Sequence, residues 1–330
     1  MHNSLSITPN LPSDPIVVLA EPIAPEPRHW LSKRVGLIES PVNHRERLFK
    51  DLAKAHALIV RSYTIVDQQL LNHAPNLRVV ARAGAGLDNI DLDACKARNI
   101  SVVYTPQANI QAVVEYVITM MLTALRPITR IQGPTDSIRW HALRQSAIAP
   151  RTCVGARLGI IGFGRIGSAL GCVAQGLGMK VVYHDLRNIP EPDRCCCTPT
   201  SLTDLAKSSD VISIHVDGRE SNRHLLGADF FNQLKEHVIL LNTARGFVIH
   251  PPSARAFAQM HPQATLIFDV HDPEPIASDF PFHTTENVIS TPHIAAGTQK
   301  AKEQMSWVVR DVLRVLEGHR PEFPATKHTI

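Results

Sequence analysis

A chain of 330 residues is longer than one ordinary core encloses and suits two domains. Hydrophobic residues at 44% and charged residues at 19% give the makeup of a soluble globular protein and exclude a disordered or membrane-embedded one. The formal net charge is +4, from scattered basic residues without a polybasic stretch or interleaved aromatics, so nucleic-acid binding is not suggested.

The N-terminal stretch Met1–Pro15 is polar, with no basic region followed by an apolar core, and does not read as a signal peptide. No segment offers the roughly 18 consecutive apolar residues of a membrane span, so a cytoplasmic location is expected. Ile16–Ala20, Ala57–Arg61, Arg78–Ala83 and Ile100–Tyr104 are short apolar runs rich in Val and Ile, the pattern of strands buried on both faces. Helix-like segments such as His44–Lys54 and Asp91–Arg98 lie between them, and this β-α-β rhythm predicts a parallel sheet. The pattern changes at Asn109. Ile110–Arg126 predicts a long helix, too apolar to lie exposed and suited to a domain or subunit contact. Pro127–Arg157, with Pro134 and Pro150, reads as an irregular connection. A second series of strands is expected at Arg157–Ile161, Lys180–His184, Val211–His215, Val238–Leu241, Thr265–Val270 and Asn287–Ser290, and Ala301–Leu316 predicts one closing amphipathic helix. No repeat of solenoid period and no low-complexity tract is present.

Cys95, Cys153, Cys172, Cys195, Cys196 and Cys197 do not have the spacing of a metal site. They read as free thiols in a reducing compartment, and no metal is expected.

Arg157–Ile161 runs straight into Gly162-Phe-Gly164-Arg165-Ile166-Gly167, and a helical pattern follows to Leu177. Strand, tight turn and helix in this order form a dinucleotide-binding fingerprint. Gly162 permits the turn, Gly164 lets the backbone approach a pyrophosphate, and Gly167 allows close helix–strand packing. The helix then presents free N–H groups and its positive dipole end to the phosphates. The next strand ends in Asp185, 18 residues beyond Gly167, where an acid accepts hydrogen bonds from the adenosine ribose and repels a 2′-phosphate. A cap of the strand end is the plainer reading of Asp185, and the nearby Arg187 softens discrimination against NADP.

From Leu58 to Met305 the chain resembles the D-isomer-specific 2-hydroxy-acid dehydrogenases, phosphoglycerate dehydrogenase-like members among them. The resemblance rests on Leu158–Gly167, Asn242-Thr-Ala-Arg-Gly246, Asp269-Val-His-Asp-Pro-Glu-Pro275 and Thr291-Pro-His293, supported by Arg82–Ile90 and Thr105–Glu115. It implies an α/β fold of two doubly wound parallel-sheet domains, with a Rossmann-type cofactor domain (107–296) inserted into a flavodoxin-like substrate domain (1–106 and 297–330). It also implies hinges near Pro106 and Ala296, an active site in the cleft, NAD as cofactor and a homodimer held by Ile110–Arg126. In the positions it transfers, Arg245 clamps the substrate carboxylate, His293 is the general acid–base and Glu274 orients the imidazole. A guanidinium fork suits a carboxylate, and an imidazole titrates near neutrality. The resemblance further assigns Arg165, Ile166, His215, Thr243 and Asp269 to the cofactor, Asp269 to its nicotinamide carboxamide. Ala83 and Gly84 would offer backbone N–H groups to the substrate carboxylate. Arg61 and Arg82, after neighbouring strands, either bind a substrate phosphate or, for Arg61, pack the loop.

The chain departs from the family pattern at two places. His215-Val-Asp217-Gly-Arg219 stands where the family has His-x-Pro and apolar residues, and Val248-Ile-His250-Pro-Pro252 replaces Val-Asp-Glu. With 330 residues, the C-terminal regulatory domain of some phosphoglycerate dehydrogenases is not expected. The resemblance implies hydride transfer with a small 2-hydroxy or 2-keto acid, of the 3-phosphoglycerate, glycerate/hydroxypyruvate or glyoxylate class. An NAD-responsive corepressor-like binding protein and a phosphite-oxidising dehydrogenase remain alternatives.

Overall fold

The computed structural model describes residues 14–326, so the expectation for Met1–Pro15 falls almost wholly outside the described residues. In chain order the elements are β1 (Ile16–Leu19), α1 (Pro25–Ser32), β2 (Gly36–Glu39), α2 (Arg45–Leu52), β3 (Ala57–Val60), α3 (Gln68–Asn72), β4 (Val79–Arg82), α4 (Leu92–Ala97) and β5 (Ser101–Tyr104). There follow α5 (Ile110–Leu125), α6 (Ser137–Ser146), β6 (Arg157–Ile161), α7 (Arg165–Gly176), β7 (Lys180–His184), β8 (Thr198–Pro199), α8 (Leu202–Ser208) and β9 (Val211–Ile214). The chain ends with α9 (Ala228–Phe231), β10 (Ile239–Asn242), α10 (Pro251–Met260), β11 (Thr265–Phe268), β12 (Val288–Ser290), α11 (Gln299–Ser306) and α12 (Val309–Leu316). Two compact units result: Met1–Asn109 with Thr298–Ile330, and Ile110–Gly297.

The first unit holds a five-stranded sheet in the order β2-β1-β3-β4-β5, with every pairing parallel. Successive side chains point to opposite faces of a strand, and both faces here are apolar. Val17, Ile59, Val79, Ala81 and Val103 pack with Leu31 of α1 and with Val309, Val312 and Leu316 of α12. Val18, Leu58, Val60, Val80 and Val102 pack with Leu48 and Leu52 of α2, Leu70 and Leu71 of α3, and Cys95 of α4. The Asp67 and Asp91 side chains accept the Leu70 and Ala94 N–H groups and so start α3 and α4.

The second unit holds a seven-stranded parallel sheet in the order β12-β11-β10-β9-β6-β7-β8. The chain winds outward in both directions from β6, so the order reverses between β6 and β9. In open α/β sheets, ligands bind at the carboxyl ends of the strands beside such a reversal.

Four local expectations are corrected. β2 was not expected: Gly36–Glu39 is a half-exposed edge strand without the buried Val/Ile run of its neighbours. Pro127–Arg157 is not wholly irregular, because Asp136 accepts the Arg139 N–H and starts α6. The closing helix is two helices, interrupted at Trp307 and Val308. The cysteines are not all free: Cys172 on α7 and Cys195 form a disulfide, with Cα atoms 5.6 Å apart. Packing of 189–197 against α7 brings them together across 23 residues of sequence. Among the described residues, no helix is long and apolar enough to cross a membrane, and no His/Cys/Asp/Glu group is arranged to hold a metal.

Candidate active site

The glycine turn sits at the reversal of strand order. Gly162 has φ +91°, and a Cβ there would lie 2.7 Å from the backbone of His215 and Val216, at the end of β9. A Cβ at Gly167 would strike the Gly162 carbonyl, so α7 can approach β6 only through glycine. At Gly164, the N-cap of α7, a Cβ would meet nothing within 4 Å. Open space thus faces the start of α7, where Arg165 and Ile166 occupy its first positions and N–H groups point outward. This cradle fits the pyrophosphate of a dinucleotide.

Around it, Asp185 accepts the Phe163 N–H at 2.7 Å and the Arg187 N–H at 2.8 Å. Burial alone would raise its carboxyl, but the hydrogen bonds from Arg187 and Phe163 outweigh that and hold it below the usual range. His215 Nε2 lies 2.8 Å from the buried Ser213 hydroxyl, and its Nδ1 lies 3.4 Å from Thr243 Oγ1. Burial pushes this imidazole down to about 3, so the ring is neutral at physiological pH.

The remaining candidates follow the carboxyl ends of β10, β11 and β12, which are adjacent in the sheet. After β10, buried Asn242 shapes the turn that carries Arg245. Its Oδ1 accepts the Ala244 N–H and its Nδ2 donates to the Arg245 carbonyl. Arg245 itself donates to the Ala244 carbonyl at 2.7 Å.

After β11, the buried Asp269 carboxylate accepts Thr291 Oγ1–H at 2.7 Å and the Ile294 and Ala295 N–H groups at 2.8 and 2.7 Å. The single Thr291 hydroxyl proton goes to that carboxylate, so the Tyr116 hydroxyl, 2.6 Å away, donates to Thr291. A line of hydrogen bonds therefore runs from α5 to the turn 291–295. His293 sits on that turn at φ +54°, a left-handed conformation uncommon outside glycine, and its N–H bonds the Asp269 carbonyl. Its Nδ1 lies 2.8 Å from Glu274 Oε2, and Glu274 Oε1 accepts the His271 N–H at 2.9 Å. Burial would raise the Glu274 carboxyl, but the bonds from His293 and His271 outweigh it and keep the acid ionised. Nothing among the described residues is bonded to His293 Nε2, and 49% of the side chain is exposed.

Arg61, Arg82, Ala83 and Gly84 lie in the first unit. Arg82 Nε donates to the Arg61 carbonyl and Asn89 Oδ1, both at 2.8 Å, and its Nη1 donates to the Gly86 carbonyl at 2.6 Å. The guanidinium is folded into the loop beneath Gly84. The Ala83 N–H bonds the Val60 carbonyl and the Gly84 N–H bonds the Arg82 carbonyl, each at 2.9 Å. Both are thus engaged within the unit rather than offered to a substrate carboxylate.

The sequence reading missed Glu21. Buried after β1, it accepts the N–H groups of Arg61, Ser62, Tyr63 and Thr64 at 2.9–3.2 Å, and so fixes the loop that carries Arg61. An acid directly after an apolar strand was the available signal. Tyr116, Thr291 and Asn242 were also missed as organisers, and only their place at strand ends or on the apolar helix hints at them.

Residues 118–295 match the family model described as "D-isomer specific 2-hydroxyacid dehydrogenase, NAD binding domain". An (S)-sulfolactate dehydrogenase from Chromohalobacter salexigens is 36% identical over 282 residues, covering 84% of this chain and 90% of the relative. This chain belongs to the D-isomer-specific 2-hydroxyacid dehydrogenase family. A family member named D-3-phosphoglycerate dehydrogenase, from Archaeoglobus fulgidus, is 32% identical over 307 residues, which are 92% of this chain but 57% of that longer protein. A D-lactate dehydrogenase from Aquifex aeolicus, solved with NAD and lactic acid, superposes with a TM-score of 0.76 at 28% identity, covering 92% of this chain and 96% of that one. The shared α/β fold of two parallel-sheet domains and the NAD-binding domain are therefore family properties.

Proposed function

We propose that this chain is an NAD-dependent dehydrogenase that interconverts a small D-2-hydroxy acid and its 2-keto acid. The carrying observation is the 2.8 Å contact between Glu274 Oε2 and His293 Nδ1. An ionised Glu274 keeps a proton on Nδ1, so the neutral ring turns the lone pair of Nε2 outward. During oxidation Nε2 takes the hydroxyl proton, and the carboxylate stabilises the imidazolium that forms. During reduction the same proton returns to the carbonyl oxygen. Bound NAD supplies the acceptor, or as NADH the donor, of the hydride at C2. Gly162, Gly164, Arg165, Ile166 and Gly167 would cradle its pyrophosphate, Asp185 its ribose, and His215, Thr243 and Asp269 its nicotinamide half. Arg245 would hold the substrate carboxylate in its fork beside the reacting carbon.

Among the substrate classes, the engagement of Arg82 by Arg61, Asn89 and Gly86 favours unphosphorylated acids of the glyoxylate or hydroxypyruvate kind. A cytoplasmic homodimer is proposed alongside. α5 turns one apolar face into its own core, while Ile128, Ile131, Ile138, Trp140, Ile148 and Val154, in or beside the segment of α6, are exposed and suit a second copy.

The test is a steady-state assay with NADH against glyoxylate, hydroxypyruvate, pyruvate and phosphohydroxypyruvate. Turnover is expected, with kcat/KM for hydroxypyruvate at least equal to that for its phosphorylated form. Tight NADH binding without turnover would instead identify a cofactor-responsive binding protein. A large preference for the phosphorylated acid would return Arg61 and Arg82 to the substrate.

A further inference from the structure

Glu274 and His293 belong to two different turns, and their side chains are 37% and 49% exposed. A contact between two such solvated groups is weak, so it does not by itself hold the turns in register. The His293 turn is tied to the end of β11 by the Asp269 carboxylate, which accepts from Thr291, Ile294 and Ala295. Glu274 stands five residues beyond Asp269, in a segment without helix or strand. Among the described residues, no hydrogen bond between backbone groups involves Val270 to Pro275. The register between acid and base therefore depends on side chains.

His271 supplies it from both ends. Its backbone N–H holds Glu274 Oε1 at 2.9 Å, and its ring Nε2 lies 2.9 Å from the Thr291 carbonyl. A carbonyl only accepts, so Nε2 carries the ring proton and donates it. The same carbonyl receives the His293 N–H at 3.0 Å. One residue thus grips the acid through its main chain and the turn of the base through its side chain.

The ring itself is fixed. His271 is 8% exposed and stands edge-on to Phe280, with ring centroids 5.3 Å apart. Phe280 packs on Phe282, which packs on Phe268 of β11. Gly246 closes on the backbone of His271, where a Cβ would strike the His271 carbonyl. An apolar ring of similar size would satisfy this packing, so the packing does not explain a histidine. The bond to Thr291 does, and among the described residues Nδ1 has no hydrogen-bond partner to offer a second reason.

We propose that His271 is a positioning residue for proton transfer, its ring setting the distance between Glu274 and His293. The proposal rests on the reading of that pair as the proton-transfer dyad.

The test is steady-state kinetics with NADH and the 2-keto acid that the wild type reduces best. The variants are His271→Phe, His271→Asn and His271→Gln, each alone and combined with Glu274→Ala, with thermal melts to select folded proteins and calorimetric NADH titration. Phenylalanine fills the space without a donor, asparagine is too short to place one where Nε2 lies, and glutamine reaches it. For phenylalanine and asparagine kcat should fall by about ten- to hundredfold, the scale of an ångström misplacement. NADH affinity should stay within about twofold, and glutamine should return kcat to within about threefold of the wild type. Without the carboxylate there is no distance to set, so in Glu274→Ala the phenylalanine should change kcat by less than about threefold. A merely structural role predicts the same loss in both backgrounds. If a folded His271→Phe keeps the wild-type kcat, if its loss is equal with and without Glu274, or if glutamine restores no more than asparagine, His271 does not position the pair and the dyad reading stands. Should His271→Phe not fold, asparagine against glutamine carries the same comparison. If Glu274→Ala and His293→Ala are as active as the wild type, the dyad reading itself fails and takes this proposal with it.

Discussion

Glu21→Gln tests the claim that one buried carboxylate holds the loop after β3. In the wild type, Oε1 receives the N–H groups of Arg61 and Thr64 at 2.9 Å, Oε2 receives that of Ser62 at 3.0 Å, and Tyr63 is shared at 3.2 Å. Glutamine keeps one oxygen but turns an amide donor towards Ser62. One charge-assisted bond is lost, worth about 1.5–3 kcal/mol, and the others fall to neutral strength. Some rearrangement of the exposed loop tip, where Tyr63 lies in solvent, offsets part of this. The expected loss is about 2–4 kcal/mol from the first unit. It is read from urea denaturation with probes in each unit, because two compact units need not unfold together. The pH dependence adds a second signature. The N–H bonds from this loop outweigh burial and lower the folded-state pKa of Glu21. Its stabilisation is therefore complete above the ordinary carboxylate range and disappears as pH falls through the lowered folded value. The glutamine variant should lose that part of the acid sensitivity. A change below about 0.5 kcal/mol, with the acid limb intact, would refute the account of Glu21 as the anchor of this loop.

His293→Ala should leave NADH affinity nearly intact and lower kcat by roughly 10²–10⁴, measured by calorimetry and steady-state kinetics; equal activity removes His293 from proton transfer. Arg245→Lys should lower kcat/KM severely, because a point charge does not replace a planar fork, and an unchanged value counts against the clamp. Thr291→Val cuts the line from Tyr116 to Asp269 and should lower kcat by about tenfold through the His293 turn, without weakening NADH; Tyr116→Phe should do less, and the reverse ranking contradicts the donor order derived above. In thiol labelling of the unreduced native chain followed by mass spectrometry, exposed Cys196 should react first. Buried Cys95 and Cys197, pushed up to about 11 mainly by burial, should react only on unfolding. Free reaction of Cys172 or Cys195 without a reductant would disprove their disulfide.

The strands were legible because a parallel strand buried on both faces must be apolar at consecutive positions, as in Ala57–Val60 and Ile239–Asn242. β2 escaped notice for the complementary reason: at an edge, Gly36 and Glu39 need not be apolar. The glycine turn was legible because each glycine answers a separate steric demand, at Gly162 a backbone contact and at Gly167 a carbonyl. His293 and Glu274 were legible only through the motifs they share with the family, since nothing in a 19-residue separation dictates a hydrogen bond. The partners that decide what a group is free to do stayed hidden. Arg82 reads as an available cation until Arg61, Gly86 and Asn89 are seen to accept its hydrogens, and Ala83 and Gly84 read as open donors until their carbonyl partners are seen. Tyr116 meets Thr291 across 175 residues, beyond the reach of any periodicity.

The five-stranded sheet is assembled from two distant stretches of chain, and this matters during synthesis. One of its faces is sealed by Val308, Val309, Val312 and Leu316, all at most 2% exposed, which the ribosome delivers only after the whole of Ile110–Gly297. Burial of four such side chains is worth about 6–12 kcal/mol, comparable with the entire stability of a typical domain. The segment made first thus waits with one apolar face covered only by α1 until the last helices emerge, while the segment made in the middle already has all its strands and can fold earlier. The nascent chain is most prone to aggregation in that interval, and a ribosome stalled near residue 297 would release a protein with one sound unit and one that cannot close.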